Sequence, residues 1–339
     1  MGNRKDKETV YCFDAANGAE KWKHTYDCDI DPRYYDGGPS ATPTVDGDKL
    51  YTLSRKGHLF CFDAASGKIV WQTLVNQDLG LKNTPEWGYA GSPLVQGDKL
   101  VLNVGTAGAA FDKASGKAIW ITGKELSGYS THVPFNVGAE TYLAVFGAKG
   151  AHAVALKDGK QLWHYPFETS YDVNAADPII RGNRVFISAG YGHGAALFQF
   201  ESSRVSKIWE NKNMRNHFNS CVLIDGHLYG MDGDHGSRGS ALRCIEFETG
   251  KVKWTEPSVR PGALMAADGK LIVMSEPGEL VIAQASPESF KALARAQVMG
   301  SKCWTTPILS SGRIYCRNSK GDVACLDVSA KSGGVAAGP

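Results

Sequence analysis

Residues 59–71, LFCFDAASGKIVW, describe one β-hairpin. Residues 59–62 are a short apolar run of the kind that forms a strand. Residues 63–67 supply the Asx and glycine chemistry that reverses a chain, and residues 68–71 begin a second strand. The pattern recurs and ends each time in a tryptophan, at Trp22, Trp71, Trp120, Trp163, Trp209 and Trp254, and the copy before Trp209 lacks the glycine. The intervals are 49, 49, 43, 46 and 45 residues, a period typical of solenoids and propellers.

A second phrase lies between the hairpins and completes the repeat. Residues 41–51, ATPTVDGDKLY, are echoed at 91–101, 176–186 and 305–315. Each echo predicts a short strand, a tight turn and another strand. One repeat therefore contains four antiparallel strands, which we name A, B, C and D in chain order. Four strands in a repeat of this length predict an all-β chain of propeller blades rather than a helical solenoid.

The repeat runs from end to end without a linker, which predicts a single domain over residues 1–329. The low-complexity residues 330–339 are predicted to form a disordered tail. The first repeat begins just before its C strand, and the last one supplies A, B and C only. We favour an eight-bladed propeller with an incomplete first blade, lacking its A and B strands. The alternative has seven blades, closed by the D strand that contains Trp22.

Composition excludes several classes of function. Lys and Arg number 37 against 35 Asp and Glu, a net charge of +2 without long runs of either sign. Nothing therefore indicates a nucleic-acid partner. No apolar stretch is long enough for a transmembrane span, and residues 1–7 are not a signal peptide. We expect a monomer. Residues 286–288, Ser-Pro-Glu, predict a helix start in place of the glycine turn of the last C–D hairpin.

The hairpin phrase, an apolar residue followed by D-A-x-[S/N]-G and a tryptophan, resembles the tryptophan-docking repeat of the pyrroloquinoline-quinone-like (PQQ-like) propellers. That superfamily includes quinoprotein alcohol dehydrogenases and the non-enzymatic BamB type of outer-membrane assembly lipoprotein. The resemblance covers nearly the whole chain and implies the fold more strongly than an activity. We expect each tryptophan to pack between neighbouring blades, with its indole N–H on a backbone acceptor.

The cysteines and polar loops give little evidence of catalysis. The dehydrogenases of this superfamily carry a vicinal Cys-Cys disulfide over the quinone, and no two cysteines are adjacent in this sequence. Cys316 and Cys325, nearly opposite on the last B–C hairpin, are the one plausible disulfide. Residues 232–235, Asp-Gly-Asp-His, could suggest a metal site, but a solvated B–C loop is favoured because no further ligand is evident. No metal site and no catalytic residue is predicted.

Position within the repeat indicates one candidate site. In a propeller strand A is innermost, and the D–A connections share one face with the B–C turns around the mouth of the central channel. Aromatic rings with a few fixed polar partners suit a binding funnel there. Equally, these side chains could plug the channel and satisfy one another. The predicted ligand- or partner-binding residues are Tyr35, Trp87, Tyr89, His132, Asn174, His217, Asn219 and Trp304.

Two functions follow. We favour a non-catalytic binding or scaffold module whose funnel takes a protein, a glycan or a small molecule, periplasmic or extracellular in its full-length form. The alternative is a quinoprotein-like alcohol or sugar oxidoreductase, with His132 or His217 as a base beside the quinone. No cofactor is predicted under the first function. PQQ with Ca²⁺ is expected only under the second.

Overall fold

The computed structural model describes residues 1–32, 35–235, 237 and 239–329. The chain forms two compact units, Met1–Lys212 and Asn213–Pro339, which we call the N-terminal and C-terminal units. The single-domain interpretation stays a prediction, and the predicted disordered tail, residues 330–339, lies outside the described residues. In the described part of the chain, no helix is both long and apolar enough to cross a membrane.

The N-terminal unit contains five antiparallel sheets. Sheet 1 has strands β1 (Gly2–Arg4), β2 (Lys7–Phe13) and β3 (Glu20–Asp27). Sheet 2 has β4 (Thr44–Asp46), β5 (Lys49–Leu53), β6 (His58–Asp63) and β7 (Ile69–Leu74), and sheet 3 has β8 (Leu94–Gln96), β9 (Lys99–Leu102), β10 (Ala109–Asp112) and β11 (Ala118–Ile121). Sheet 4 has β12 (Val133–Val137), β13 (Glu140–Gly147), β14 (Gly150–Ala155) and β15 (Gln161–Pro166). Sheet 5 has β16 (Ile179–Arg181), β17 (Arg184–Ala189), β18 (Gly194–Glu201) and β19 (Arg204–Asn211). A short α-helix, α1 (Val75–Leu79), and a 3₁₀ turn (Ser170–Asp172) lie in D–A connections.

The C-terminal unit contains three antiparallel sheets. Sheet 6 has strands β20 (Val222–Ile224), β21 (His227–Asp232), β22 (Ala241–Glu246) and β23 (Val252–Glu256). Sheet 7 has β24 (Gly262–Ala267), β25 (Lys270–Ser275), β26 (Glu279–Gln284) and β27 (Lys291–Gln297). Sheet 8 has β28 (Ile308–Ser310), β29 (Arg313–Arg317) and β30 (Val323–Asp327).

The sheets confirm the predicted fold class, an all-β chain of β-propeller blades. Over the described ranges there are eight sheets, six of four strands and two of three. Strand β3 pairs with β2, with Cys12 opposite Trp22, so the N-terminal strands form a sheet of their own. This agrees with the eight-bladed prediction and not with the seven-bladed alternative. The first blade is more complete than predicted, because β1 pairs with β2, with Asn3 opposite Glu8, and supplies a B strand.

The core lies between successive sheets of each unit. In the N-terminal unit, Tyr51 and Leu59 of sheet 2 share one buried cluster with Leu100 and Phe111 of sheet 3. This arrangement follows from the sequence, because strands B and C are apolar on both faces and so bury both.

Four of the repeating tryptophans donate to a backbone carbonyl of the next blade, as predicted: Trp22, Trp71, Trp120 and Trp254. At the first three, the glycine of the repeat explains how. The indole of Trp22 donates to the carbonyl of Ala64 at 3.0 Å, and that of Trp71 donates to Lys113 at 3.0 Å. A Cβ added to Gly67 would lie 2.5 Å from the Trp22 ring. Gly67 also has a φ of 70°, which a side chain disfavours. The glycine therefore both closes the turn and lets the ring of the preceding blade approach.

Trp163 is the exception, and it faces the degraded copy of the repeat. It is 1% exposed and packs on Phe135, Phe198 and Phe200. Its buried indole N–H has no acceptor in the part of the chain that the structure describes, in contrast to Trp120, which donates to Leu156 at 3.1 Å. The next blade at this point is the one whose C–D turn has lost the glycine. The aromatic residues fill the space but offer no carbonyl.

The helix predicted from Ser286 is wrong. Residues 285–290 form an irregular turn, and Lys291–Gln297 is strand β27. The carbonyl of Ser286 accepts the indole N–H of Trp254 at 2.9 Å, and its hydroxyl accepts a hydrogen bond from the Glu288 amide at 3.3 Å. The residues that resemble a helix cap therefore cap a turn that docks a tryptophan.

The Cys316–Cys325 disulfide is also absent. Cys325 pairs with Tyr315, and Cys316 pairs with Ala324. Because successive side chains alternate between faces, the two thiols lie on opposite sides of the sheet. Cys316 is buried, Cys325 is exposed, and both are free.

Candidate functional site

Polar contacts in each unit join B–C turns to D–A connections. In the N-terminal unit, the Asn103 amide donates to the Ser130 carbonyl at 2.8 Å. In the C-terminal unit, Asn318 donates to Gly300 at 3.0 Å. Within each unit, the loops that were expected to share a face are therefore in contact.

Three of the predicted site residues are buried and hold backbone in place. Tyr89 is 2% exposed, and its backbone N–H donates to the Arg55 carbonyl at 2.9 Å. Asn174 is fully buried, and its amide donates to the carbonyl of Gly147 at 2.8 Å. The Nε2 atom of His132 lies 3.0 Å from the Ala107 carbonyl, and burial lowers the pKa of His132 to about 4. His132 therefore donates from a neutral ring at pH 7.

Tyr35 and Trp87 are partly exposed and lie together in the N-terminal unit. Their ring centroids are 6.1 Å apart in an edge-to-face arrangement. The backbone N–H of Trp87 donates to the Tyr129 hydroxyl at 3.4 Å. Trp87 lies in sequence between Glu86 and Gly88, two residues that line a cavity of about 140 Å³.

The remaining three, His217, Asn219 and Trp304, come together in the C-terminal unit. Phe218 and His235 join them, with rings 5.2 Å apart and nearly parallel. The Trp304 ring lies 5.2 Å from Phe218 and 5.1 Å from His235. The Lys302 ammonium lies 4.8 Å from the centre of the Trp304 ring, within cation–π range. We call this group the tryptophan–histidine cluster; it comprises His217, Phe218, Asn219, His235, Lys302 and Trp304.

Hydrogen bonds fix the orientation of the rings in this cluster. The backbone N–H of His235 donates to His217 Nδ1 at 3.2 Å. The Asn219 amide donates to the Gly262 carbonyl at 2.7 Å and lies 3.2 Å from His235 Nε2. Since His235 Nε2 accepts, the ring proton is on Nδ1. That Nδ1–H and the Trp304 indole N–H are both buried without an acceptor among the described residues.

The electrostatics of the cluster favour neutral histidines. Burial lowers the pKa of His217 to about 4, although the nearby Asp234 carboxylate raises it. Burial also lowers the pKa of His235 to about 4, and its neighbour His217 acts in the same direction. Both rings are therefore uncharged hydrogen-bonding groups at neutral pH.

The sequence favoured a solvated loop for residues 232–235, but part of this loop is buried. The Asp232 carboxylate is fully buried and accepts two bonds from the Arg215 guanidinium, at 2.9 and 2.7 Å. Arg243 lies 2.8 Å from the same carboxylate. The first aspartate of the loop is thus a buried anchor for two arginines.

Phe218 and His235 were missed by the sequence analysis. The predicted binding residues all lie in D–A connections, although the B–C turns were expected on the same face. His235 is in a B–C turn, so its proximity to His217 could have been predicted from topology. Phe218 stands between two predicted residues.

Across residues 1–32, 35–235, 237 and 239–329, no group of three or more His, Cys, Asp or Glu side chains could hold a metal ion. The Asp232 carboxylate is paired with Arg215 and Arg243, and Asn219 donates to the Gly262 carbonyl.

The blades and their docked tryptophans define a PQQ-like repeat β-propeller. The family model described as outer membrane protein assembly factor BamB matches residues 6–256, and this chain belongs to that family. Comparison with curated proteins gave no match.

Solved structures support the fold. BamB from Moraxella catarrhalis has a TM-score of 0.65 and 15% identity, covering 94% of this chain and 88% of that one. A europium-containing methanol dehydrogenase has a TM-score of 0.64 and 13% identity, covering 94% and 78%. The quinohemoprotein alcohol dehydrogenase from Comamonas testosteroni has a TM-score of 0.62 and 14% identity, covering 91% and 67%. The similar structures thus include both a scaffold type and enzymes, and identities this low bear on the fold alone.

Proposed function

We propose that this chain is a non-catalytic binding or scaffold propeller of the cell envelope, periplasmic or extracellular, whose partner is a protein. The observation that carries the proposal is the tryptophan–histidine cluster. There, His235 and Trp304 each bury an N–H for which the described residues offer no acceptor. Buried donors are almost always satisfied by protein or ordered water, and we assign the acceptors of these two to a partner that docks on the partly exposed rings of the cluster.

The histidines of the cluster suit recognition better than acid–base chemistry. A general base works best with a pKa near the operating pH, whereas burial holds the pKa of His217 and His132 at about 4. His132 also has its Nε2 atom on the Ala107 carbonyl. The oxidoreductase alternative, which used these two residues as bases, has less support.

A protein partner is favoured over a glycan or small molecule for this cluster. Phe218 and Trp304 are partly exposed, and aromatic side chains are enriched at protein interfaces. A backbone carbonyl of the partner would accept from His235 or Trp304. The family description, an assembly factor for outer membrane proteins, points to the same kind of partner.

Site-specific photo-crosslinking in envelope fractions of the source cells tests the proposal. A photoreactive residue in place of Lys302, within the cluster, should give discrete protein adducts, and one in place of Lys68, on an exposed C–D turn, should not. Trp304→Ala should remove the adducts. Its effect on the melting temperature should be much smaller than that of Trp71→Ala, which removes a blade-docking tryptophan. Equal adducts from both positions, or none from position 302, would contradict the proposal.

A separate assay addresses the enzymatic alternative. The chain is incubated with PQQ and Ca²⁺, and dye-linked oxidation of primary alcohols and aldose sugars is followed. We expect no turnover above the protein-free control. Turnover that disappears in His217→Ala or His132→Ala would replace the scaffold proposal with the oxidoreductase.

A further inference from the structure

A second interaction surface lies in the N-terminal unit, on the face of sheet 1 that points away from sheet 2. Cys12 of β2 is opposite Trp22, and Trp22 docks on sheet 2. Because side chains alternate along a strand, the neighbours of Cys12 lie on the other face. These are Tyr11 and Phe13, whose rings stack 5.6 Å apart and 9° from parallel. They are 40% and 47% exposed.

The same positions are buried in the other sheets of this unit. Phe60 and Phe62 of sheet 2 correspond to Tyr11 and Phe13, because each pair flanks the cysteine opposite a docking tryptophan. Phe60 and Phe62 are 4% and 0% exposed, and they share one cluster with Trp22. In sheets 3, 4 and 5 the residues that correspond to Phe13 are at most 1% exposed: Phe111, Val154 and Phe198. Sheet 1 therefore exposes an apolar face that its repeats cover.

The C–D turn of sheet 1 shows the same contrast. A Cβ added to Gly67 or Gly116 would lie 2.5 Å from the tryptophan ring of the preceding blade. A Cβ added to Gly18, the corresponding glycine of sheet 1, would meet no described atom within 4 Å. Gly18 and Gly67 have φ values of 74° and 70°, so the backbone of the two turns is alike. Sheet 1 thus has the turn that receives a tryptophan, and no ring of the described chain lies on that turn. We call Tyr11, Phe13 and Gly18 the open face of sheet 1.

The charges beside the open face do not select its ligand. Lys23, opposite Tyr11 on the neighbouring strand, lies 3.1 Å from Glu20. Further along the same strands, Lys7 pairs with Asp27. Because these pairs neutralise one another, the open face favours an occupant that offers apolar contact. Exposed apolar patches of this kind mark interaction sites.

We infer that the open face of sheet 1 binds an extended strand of another polypeptide that carries a tryptophan. Its ring would pack on Gly18 and Phe13 as the Trp22 ring packs on Gly67 and on Phe62, whose ring centroid is 5.9 Å away. This surface is separate from the tryptophan–histidine cluster and does not rest on the proposed function.

The chain itself does not offer such a strand. Residues 330–339 contain no aromatic residue. A second folded copy has its strand tryptophans engaged. Trp163 is buried, and Trp209 packs on Phe186 of its own sheet. The others donate to the next blade: Trp22, Trp71, Trp120 and Trp254. The occupant is therefore assigned to a different polypeptide.

Fluorescence anisotropy with the full chain tests the inference. The probe is a fluorescein-labelled peptide of residues 20–27, EKWKHTYD, which is the sequence of strand β3 with its tryptophan. The comparison peptide has alanine in place of the tryptophan. The tryptophan peptide should bind saturably. The alanine peptide should bind at least about tenfold more weakly, because it lacks the aromatic anchor.

Two variants of the chain locate the binding on sheet 1. Phe13→Ser removes an exposed ring of the open face. Gly18→Asn keeps the positive φ, which asparagine tolerates, and its side chain fills the space of the incoming ring. Both should retain cooperative thermal unfolding and weaken binding of the tryptophan peptide by about tenfold. Val70→Ser is the matched control, because Val70 of strand β7 is also 47% exposed, and it should bind the peptide as the unchanged chain does.

The inference is supported if the tryptophan peptide alone binds tightly and both sheet 1 variants weaken it while Val70→Ser does not. If one of the two variants fails to fold, the other decides. The inference is overturned if neither peptide binds saturably, if the two peptides bind alike, or if a folded sheet 1 variant binds like the unchanged chain. Self-association of the chain that Phe13→Ser abolishes, measured by sedimentation, would assign the open face to a second copy and overturn it as well. None of these outcomes depends on the tryptophan–histidine cluster, so they are distinguishable from a failure of the proposed function.

Discussion

Removal of the indole nitrogen should change stability in opposite directions at the two most buried docking tryptophans. It should destabilise the protein at Trp120 and stabilise it at Trp163. Trp120 is 9% exposed and donates to Leu156, whereas Trp163 is 1% exposed and its indole N–H has no acceptor among the described residues. Replacing either with phenylalanine removes part of the ring and costs packing. At Trp120 the change also removes a hydrogen bond, about 1 kcal/mol. At Trp163 it removes a buried unsatisfied donor, whose burial costs about 1 to 3 kcal/mol.

The packing loss is common to both variants, so their difference isolates the indole N–H. Trp120→Phe should therefore lower the free energy of unfolding by about 2 to 4 kcal/mol more than Trp163→Phe does, from the sum of these two contributions. Urea unfolding followed by far-UV circular dichroism measures this, because tryptophan fluorescence would change with the substitutions themselves. Trp71→Phe, which loses its bond to Lys113, should behave like Trp120→Phe. If Trp163→Phe proved as destabilising as Trp120→Phe, the explanation of the degraded repeat would be wrong.

Three further outcomes follow from the structure. Asp232→Asn should lower the free energy of unfolding by about 3 to 5 kcal/mol in urea titrations, because it leaves two arginines around a buried neutral group. Burial holds the pKa of His132 and His152 at about 4, below their ordinary 6.5. The unfolded chain therefore binds more protons than the folded one between about pH 6.5 and 4, and the free energy of unfolding should fall as pH drops through that window. His152→Gln should make this pH dependence weaker in urea titrations at a series of pH values. In native labelling with iodoacetamide, read by mass spectrometry, Cys325 should react first, since it is exposed and unpaired. Rapid labelling of Cys316, or a disulfide between the two, would contradict the sheet register.

The repeat predicted the fold because the same chemistry is required at every blade. Gly67 meets two requirements, a positive φ and close contact with the Trp22 ring. The first is local to the turn, and the second involves only the neighbouring blade. At Ser286 a turn without the glycine docks the tryptophan, and there the local sequence predicted a helix that is not formed. Ser286 caps a turn whose carbonyl docks Trp254, and a cap alone does not show whether a helix follows it.

The site was harder to predict than the fold. The position of a residue within the repeat predicts the face of the blade on which it lies, but not how deeply it is buried. Tyr89 and Trp87 are two residues apart in one connection, yet Tyr89 is buried and Trp87 is partly exposed. No periodicity in the chain encodes that difference.

Asn174 and Asn219 show the difference between a residue that only holds backbone in place and one that also contributes to the candidate site. Both lie in D–A connections, and both donate to a backbone carbonyl, Gly147 in one case and Gly262 in the other. Asn174 is fully buried and serves only to hold the loop. Asn219 is partly exposed, and by the same bond to Gly262 it fixes an amide that directs the proton of His235 to Nδ1, where no acceptor is present among the described residues. A residue that pins backbone can therefore also prepare a binding site. What decides between the two roles is a histidine in the neighbouring B–C turn, which the A–D repeat does not specify.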